Sequence, residues 1–142
     1  MAKEVGATVV FQGGMKFEGK SGRAGTAVAL DFGPDDQAVQ GYLPLELLLA
    51  SLAGCSGQVV VGLLKRMDQD VRGLTVRARG EKRETHPTVL TSIGLEFEFR
   101  GGKVDGASVE RALALSEERF CPVWVMLKAS APIKATYRIL AE

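Results

Sequence analysis

The side chains best suited to covalent or metal chemistry in this chain of 142 residues are two cysteines and one histidine: Cys55, Cys121 and His86. These three residues lie too far apart to show the short ligand spacings of a closed zinc site, and no metal site is expected. The sequence also lacks a phosphate-binding glycine loop, a dinucleotide fingerprint and a serine in a nucleophile elbow. The two thiols are therefore the candidates for chemistry.

Cys121 has the better local setting for a reactive thiol. It directly precedes Pro122, and a proline at the first helical position makes Cys121 the N-cap of a helix. A thiolate at that position faces unpaired backbone N–H groups and the positive end of the helix dipole. Both effects predict a lowered pKa for the Cys121 thiol.

Cys55 lies among small residues in the most apolar part of the chain. Its neighbours in Gly54–Gly57 leave space around the sulfur, either for a substrate or for a closely packed helix. The alternative for both cysteines is that they are unreactive small hydrophobic residues, since free cysteine is among the residue types most often buried.

The eighteen residues Leu47–Leu64 carry no charge, which reaches the lower limit for a membrane-spanning helix. Ser51, Gly54 and Gln58 dilute this run, however, and no aromatic residues flank it. The pattern favours a central helix, Pro44–Met67, that is buried inside a soluble protein, and no association with a membrane is expected.

Composition narrows the class of protein further. Eighteen basic and seventeen acidic residues give a formal net charge of +1, which argues against a nucleic-acid partner. Met1–Gly6 and the residues after it do not form a secretory signal, and two cysteines are far too few for a disulfide scaffold. We therefore expect one domain over residues 1–142 in the reducing cytoplasm.

Hydrophobic periodicity predicts the element order β-β-β-α-β-β-α-α-β, which is an α+β fold. Gly13 and Gly14 suit the turn of the first hairpin, and Ser108 is the expected cap of the second helix. The predicted strands are 7–12, 15–19, 25–32, 73–83, 89–100 and 133–139, and the predicted helices are 44–67, 109–119 and 123–128.

The fourth and fifth predicted strands alternate strictly between apolar and charged residues, which indicates a sheet that is covered on one side only. The outward residues Arg77 and Arg79 complement the outward residues Glu96 and Glu98, and this favours an antiparallel pairing. We interpret these charges as a solvated sheet face.

Three ordered segments resemble the OsmC/Ohr family of osmotically inducible and organic hydroperoxide resistance proteins. They are Pro44–Met67, the stretch HPTVLTSIGLEFEFRG from His86 to Gly101, and LSEERFCPVWVML from Leu115 to Leu127. The resemblance covers essentially the whole chain. It implies antiparallel sheets wrapped around a long central helix, in an intertwined homodimer.

The resemblance also implies an activity. Family members with peroxidase activity carry a peroxidatic cysteine on the central helix, here Cys55, and a resolving cysteine in the Cys-Pro motif, here Cys121. Such enzymes reduce organic hydroperoxides and are themselves reduced by a dithiol, without a metal or flavin cofactor.

Two features depart from the pattern of active hydroperoxide reductases. Those proteins use a glutamate ten residues before the peroxidatic cysteine, where this chain has Leu45, and its Glu46 stands nine residues before. Nine residues turn an ideal helix by about 180°, so Glu46 is expected to point away from Cys55. The arginine that those proteins carry on an early strand is also missing, and Lys16 and Arg23 are the candidate substitutes.

These departures resemble a less-characterised branch of the family. The alternative function is therefore an OsmC-like dimer without peroxidase activity that binds or acts on an unidentified small molecule, and a purely structural protein is a third class.

Three other residues have two interpretations each. His86 is expected to be a structural or surface residue rather than a partner of the thiols, and Phe120 and Trp124 are expected in the core rather than in the wall of an apolar pocket.

Overall fold

The computed structural model describes residues 3–23 and 25–141. Met1 and Ala2, on which the prediction about a secretory signal partly depends, lie outside the described residues. The chain divides into two compact units, Met1–Leu48 and Leu49–Glu142.

The first unit contains a three-stranded antiparallel sheet with strands in chain order. The first hairpin turns at Gly14 and Met15, one residue later than predicted, and a bulge lies between Phe11 and Gly13. Gly13 and Gly14 have φ angles of +101° and +59°, which only glycine adopts at low cost. The strands are β1 (Ala7–Gly13), β2 (Lys16–Ser21) and β3 (Ala27–Leu30).

The predicted central helix forms as α1, Pro44–Arg66, with Pro44 at its first position. Four residues at intervals of four are fully buried on one side of this helix: Leu52, Ser56, Val60 and Leu64. By length and composition α1 also resembles a membrane span, and only 22% of its apolar window is buried within the chain.

The second sheet is mixed, so the prediction of purely antiparallel sheets is wrong for one pairing. The central strand β5 pairs antiparallel with β4 and parallel with β6. The parallel pairing is possible because the helical segment between β5 and β6 carries the chain back to the end of the sheet where β5 begins. The strands are β4 (Asp70–Lys82), β5 (Leu90–Lys103) and β6 (Ile133–Leu140).

The outer face of this sheet confirms the predicted charge pairing. Arg77 lies 3.6 Å from the Glu98 carboxylate, and Arg79 lies 3.8 Å from that of Glu96. Arg138 on β6 also donates from Nε to Glu98 at 2.9 Å. This hydrogen bond is the main reason that the pKa of Glu98 lies below its usual value.

Between β5 and β6 the chain forms α2 (Gly106–Leu115), a π-helical segment called the π-turn here (Ser116–Phe120) and α3 (Pro122–Leu127). The cap predicted at Ser108 is wrong. Asp105 is the N-cap, and its carboxylate accepts a hydrogen bond from the Ser108 N–H at 2.8 Å. The helix begins earlier because Asp105 offers a carboxylate three residues before that N–H, which is the usual N-cap geometry.

A single hydrophobic cluster occupies the second unit. The inward face of β5, the buried side of α1, one side of α2 and the start of α3 all contribute to it. Its buried members are Leu52, Val60, Leu64, Ile93, Leu95, Phe97, Phe99, Val109, Ala112, Leu113, Cys121, Trp124 and Ala131. One of the two thiols is therefore part of the core.

Candidate active site

Helix α1 places Cys55 at the margin of its buried side. The next residue, Ser56, faces the core, and its hydroxyl donates to the Leu52 carbonyl at 2.8 Å, so this buried polar group is satisfied. With about 100° of rotation per residue, Cys55 lies between that buried side and the exposed side of the helix. Its side chain is accordingly only partly buried.

Cys121 joins the π-turn to α3 in an extended conformation, and it is the N-cap of α3 as predicted. Its N–H donates to the Ser116 carbonyl at 3.1 Å, and its sulfur accepts from the Trp124 N–H at 3.4 Å. Cys121 has no exposed surface. The Cys-Pro motif therefore holds the sulfur at a defined position within the core.

The structure brings the two predicted cysteines together. Cys55 lies close enough to Cys121 to raise the pKa of the Cys121 thiol, and both cysteines are free thiols. The middle of α1 and the start of α3 thus bring the two thiols into one region of the second unit.

The predicted lowering of the Cys121 pKa is wrong. Burial, and to a smaller extent the neighbouring Cys55 thiol, raise the pKa of this thiol from its usual 9.0 to about 11. The N–H groups of Trp124 and Val123 act in the opposite direction, as expected for an N-cap, but more weakly. Loss of hydration outweighs the capping effect because the sulfur is fully buried.

Glu46 has a structural partner at the beginning of α1. Its carboxylate accepts a hydrogen bond from the Leu43 N–H at 2.9 Å, which is one half of a capping box. This contact supports the interpretation of Glu46 as a first-turn acid that stabilises the helix. A catalytic role for Glu46 stays a prediction.

Lys16 and Arg23, the two candidate substitutes for the missing arginine, both lie in the first unit. Lys16 lies close enough to Asp31 to help lower its pKa, although hydrogen bonds from the N–H groups of Gln40 and Phe32 contribute more. Arg23 is exposed. Through these hydrogen bonds of 2.8 and 2.7 Å, Asp31 orders the loop after β3. The sequence pattern that indicates this role is an aspartate at the end of a strand, shortly before a Gly-Pro pair.

The structure agrees with the expected positions of His86 and Trp124 but not with that of Phe120. His86 is exposed beyond the end of β4, as expected for a surface residue, and Trp124 lies in the core with 1% of its surface exposed. Phe120 is 44% exposed, so the prediction that it belongs to the core is wrong. It is the last residue of the π-turn, and the guanidinium of Arg119 lies 5.4 Å from the centre of its ring.

The π-turn itself was not predicted from the sequence. It adds one residue to a helical turn, and such insertions occur often at functional sites. Two buried polar atoms near Cys121 in the chain, Ser116 Oγ and Trp124 Nε1, have no hydrogen-bond partner among residues 3–23 and 25–141. The segments on both sides of Cys121 therefore contribute polar groups to an otherwise apolar region.

An open groove of about 620 Å³ runs along the exposed side of α1. The glycines Gly54, Gly57 and Gly62 line it on the helix, and Leu74 and Val76 of β4 line its other wall. The groove exists because the three glycines on the helix have no side chains to fill it. It therefore lies beside the helix that carries Cys55.

Sequence comparison identifies relatives over most of the chain. Residues 33–136 match the family model described as OsmC-like protein. Protein YhfA of Escherichia coli strain K12 is 34% identical over 128 residues, which cover 90% of this chain and 92% of YhfA.

Solved structures share the fold over nearly the full length. A hypothetical protein from Aquifex aeolicus VF5 is 27% identical, with a TM-score of 0.87 and coverage of 99% of each chain. An organic hydroperoxide resistance protein from Elizabethkingia anophelis has a TM-score of 0.66 at 16% identity, covering 100% of this chain and 99% of that protein. At such low identity the second similarity is evidence for the fold alone.

Proposed function

We propose that this chain, which belongs to the OsmC-like family, is a thiol-dependent peroxidase that reduces organic hydroperoxides with Cys55 and Cys121. The observation that carries the proposal is the proximity of the two thiols, since Cys55 lies close enough to raise the pKa of Cys121. A redox role is consistent with the fold shared with organic hydroperoxide resistance proteins. The substrate class and the reaction are the proposal.

In the first step, the Cys55 thiolate attacks one oxygen of the hydroperoxide. The O–O bond breaks, the alcohol leaves with a proton, and Cys55 becomes a sulfenic acid. In the second step, the Cys121 sulfur attacks the Cys55 sulfur. A disulfide forms, and the hydroxyl of the sulfenic acid leaves as water with the proton of Cys121. A dithiol then reduces the disulfide by exchange.

The assignment of the two roles depends on access and protonation. Cys55 is partly exposed, so a hydroperoxide has a route to its sulfur. Cys121 is fully buried and, with a pKa raised to about 11, is protonated at neutral pH. A protonated thiol is a poor first nucleophile, but it supplies the proton that water needs when the disulfide forms.

We also propose that the protein acts as a homodimer. In the middle of α1, over residues 51–62, the exposed positions fall on one side of the helix and are mostly small: Ser51, Gly54, Gln58 and Gly62. Such residues allow another helix to approach closely, and the groove beside them has room for one. A second copy of α1 is the proposed occupant, since the apolar window of this helix is only 22% buried within the chain and needs further cover.

The first unit supports the same assembly. Its sheet and the loop that follows expose large apolar side chains that a single chain leaves in contact with solvent. They are Val9, Val10, Phe11, Met15, Phe17 and Phe32. Several large apolar side chains exposed on one small sheet favour an interface with another protein.

The second candidate function is an OsmC-like dimer that binds or acts on an unidentified small molecule with its thiols unreactive. The capping contact of Glu46 favours it, because the carboxylate is engaged at the helix terminus. Leu45, at the position of the expected glutamate, favours it as well.

Peroxide consumption distinguishes these functions. Reduced protein is mixed with cumene hydroperoxide and a dithiol, and peroxide loss is compared between wild type, Cys55→Ser and Ser130→Ala. The Ser130 variant is the matched control because it alters an exposed residue of the same unit outside the proposed interface. Rapid loss with wild type and the control, but not with Cys55→Ser, supports the peroxidase. Equally slow loss with all three rejects it.

A further inference from the structure

The outer face of the second sheet concentrates positive charge. The strand register places residues of β4, β5 and β6 side by side in four rows that point away from the core, and Glu81 lies beyond the last of them. The charged residues of these rows are Arg77, Arg79, Glu96, Glu98, Arg100, Lys134 and Arg138. Their cations exceed their carboxylates by three, whereas the whole chain has a net charge of only +1. The rest of the chain is therefore negative overall.

The carboxylate at the centre of this face is shielded, and the guanidinium groups around it are exposed. Glu98 lies 3.6 Å from Arg77 and 3.7 Å from Arg100, and Arg138 donates a hydrogen bond to it. The side chain of Glu98 is 11% exposed, whereas the side chains of these three arginines are between 45% and 67% exposed. A molecule that approaches the sheet therefore meets the guanidinium groups first.

These cations retain hydrogen-bonding capacity for a partner. A guanidinium group has more N–H donors than a shared carboxylate can accept. The separations of Arg77 and Arg100 from Glu98, and of Arg79 from Glu96 at 3.8 Å, are longer than hydrogen bonds, so these contacts are electrostatic only. Carboxylates supplied from outside can form the charge-assisted bonds that these arginines lack.

The arrangement of the charges indicates the kind of partner. Glu96 is 48% exposed and places a negative charge among the cations. A continuous polyanion, such as a nucleic acid or an anionic bilayer, is repelled at this point. A protein surface can instead place carboxylates opposite the arginines and a cation or hydroxyl opposite Glu96.

Two other occupants fit this face poorly. The outward residues of the four rows, all of them within the described part of the chain, include no aromatic side chain on which a base could stack. A second copy of the same face would bring two positive surfaces together. We propose that the outer face of the second sheet is a docking surface for an acidic segment of a protein partner.

This surface is separate from the thiols. It lies on the side of β5 opposite the hydrophobic cluster, and Cys121 belongs to that cluster. The proposal therefore does not rest on the proposed peroxidase activity, and the two can fail independently.

The test measures binding of a fluorescein-labelled peptide of alternating glutamate and serine to the full-length protein, by fluorescence anisotropy at low salt. The double variant Arg79→Gln/Lys134→Gln removes two exposed cations from the face and leaves the three arginines around Glu98 in place. Binding should weaken by about tenfold, since each exposed ion pair contributes about threefold. Physiological salt should weaken binding to wild type as well.

The matched control is Arg111→Gln/Lys128→Gln. It lowers the net charge equally, but it does so at exposed positions of the helical segment between β5 and β6. This control is expected to bind the peptide like wild type. Circular dichroism confirms that both double variants are folded, and peroxide consumption by Arg79→Gln/Lys134→Gln should equal that of wild type.

Three results overturn the proposal. The first is that wild type binds the peptide no better than a peptide with glutamine in place of glutamate. The second is an equal loss of binding in both double variants, which would reflect net charge and not this face. The third is tighter binding of wild type to an oligothymidylate of equal charge, or to phosphatidylserine vesicles, than to the acidic peptide.

Discussion

The thiol of Cys121, at the start of α3, lies close enough to the side chain of Cys55 in the middle of α1 for Cys55 to raise its pKa. Cys121 is fully buried and Cys55 is partly exposed. This asymmetry gives two chemically similar residues different access to solvent and different expected roles.

Cys121→Ser is expected to separate the two steps of the proposed reaction. Without the second sulfur, the sulfenic acid on Cys55 has no partner with which to form a disulfide. After one equivalent of cumene hydroperoxide, a dimedone adduct should accumulate in this variant and be scarce in wild type, as measured by intact-protein mass spectrometry. An adduct on Cys121 of the Cys55→Ser variant, in similar yield, would reverse the assigned roles.

The raised pKa of Cys121 predicts a loss of stability in alkaline solution. Between about pH 9, where an unfolded thiol ionises, and about pH 11, the unfolded chain releases a proton that the folded chain retains. This contribution is therefore complete below pH 9 and is lost as the pH rises through 11. The thermal midpoint of wild type should fall in this window relative to that of Cys121→Ser, and a constant difference would contradict the assigned pKa.

Glu46 is expected to stabilise α1 through its hydrogen bond with the Leu43 N–H. Loss of a capping contact costs about 1 kcal/mol, so Glu46→Ala should lower the free energy of unfolding by about that amount. Glu46→Gln retains an oxygen acceptor and should lose less. Urea denaturation measures both, and the capping role is rejected when the two variants are equally stable. Peroxide consumption by Glu46→Gln then tests the predicted catalytic role separately.

Glu98 is expected to make the protein sensitive to acid. Its pKa is lowered by the hydrogen bond from Arg138 and by the charges of Arg77 and Arg100. The stabilisation is present above the usual value of 4.5 and is lost as the pH falls through the lower, folded value. Wild type should lose stability below pH 4.5 more steeply than Glu98→Gln, which has no group to protonate, in thermal unfolding at low salt. Parallel pH profiles would show that the carboxylate contributes nothing.

Gly62→Arg is expected to disrupt the proposed dimer without unfolding the chain. Apart from its own helix backbone, no atom lies within 4 Å of a Cβ at Gly62, and replacing a helical glycine by arginine raises helix propensity. Sedimentation velocity should show a smaller species for this variant than for wild type. Thr136→Arg, on the outer face of the second sheet, is the matched control, and equal sedimentation of all three proteins would exclude α1 from an interface.

Some structural relationships were predictable because local patterns determine them. The strict alternation in β4 and β5 predicted which residues face outward, and the opposite charges of Arg77 and Glu98 favoured the antiparallel pairing that is observed. The Cys121–Pro122 dipeptide likewise predicted a helix cap, since a proline at the first helical position needs no N–H partner.

Other relationships depend on contacts between distant parts of the chain. The parallel direction of β6 depends on where the intervening helices return the chain, and periodicity within the strand is the same in either direction. The π-turn has no distinct sequence pattern, and its extra residue determines which side chains of this segment reach the core. Phe120, the last residue of this segment, is exposed, although its residue type favours burial.

The sequence by itself determined the apolar central helix, the alternating strands and the cap at Cys121, because these follow from local periodicity and backbone geometry. The tertiary structure decided that Cys55 and Cys121 meet, and that the Cys121 thiol is protonated rather than activated. Hydration of a sulfur depends on every element packed around it, and here the loss of that hydration exceeds the effect of the helix terminus.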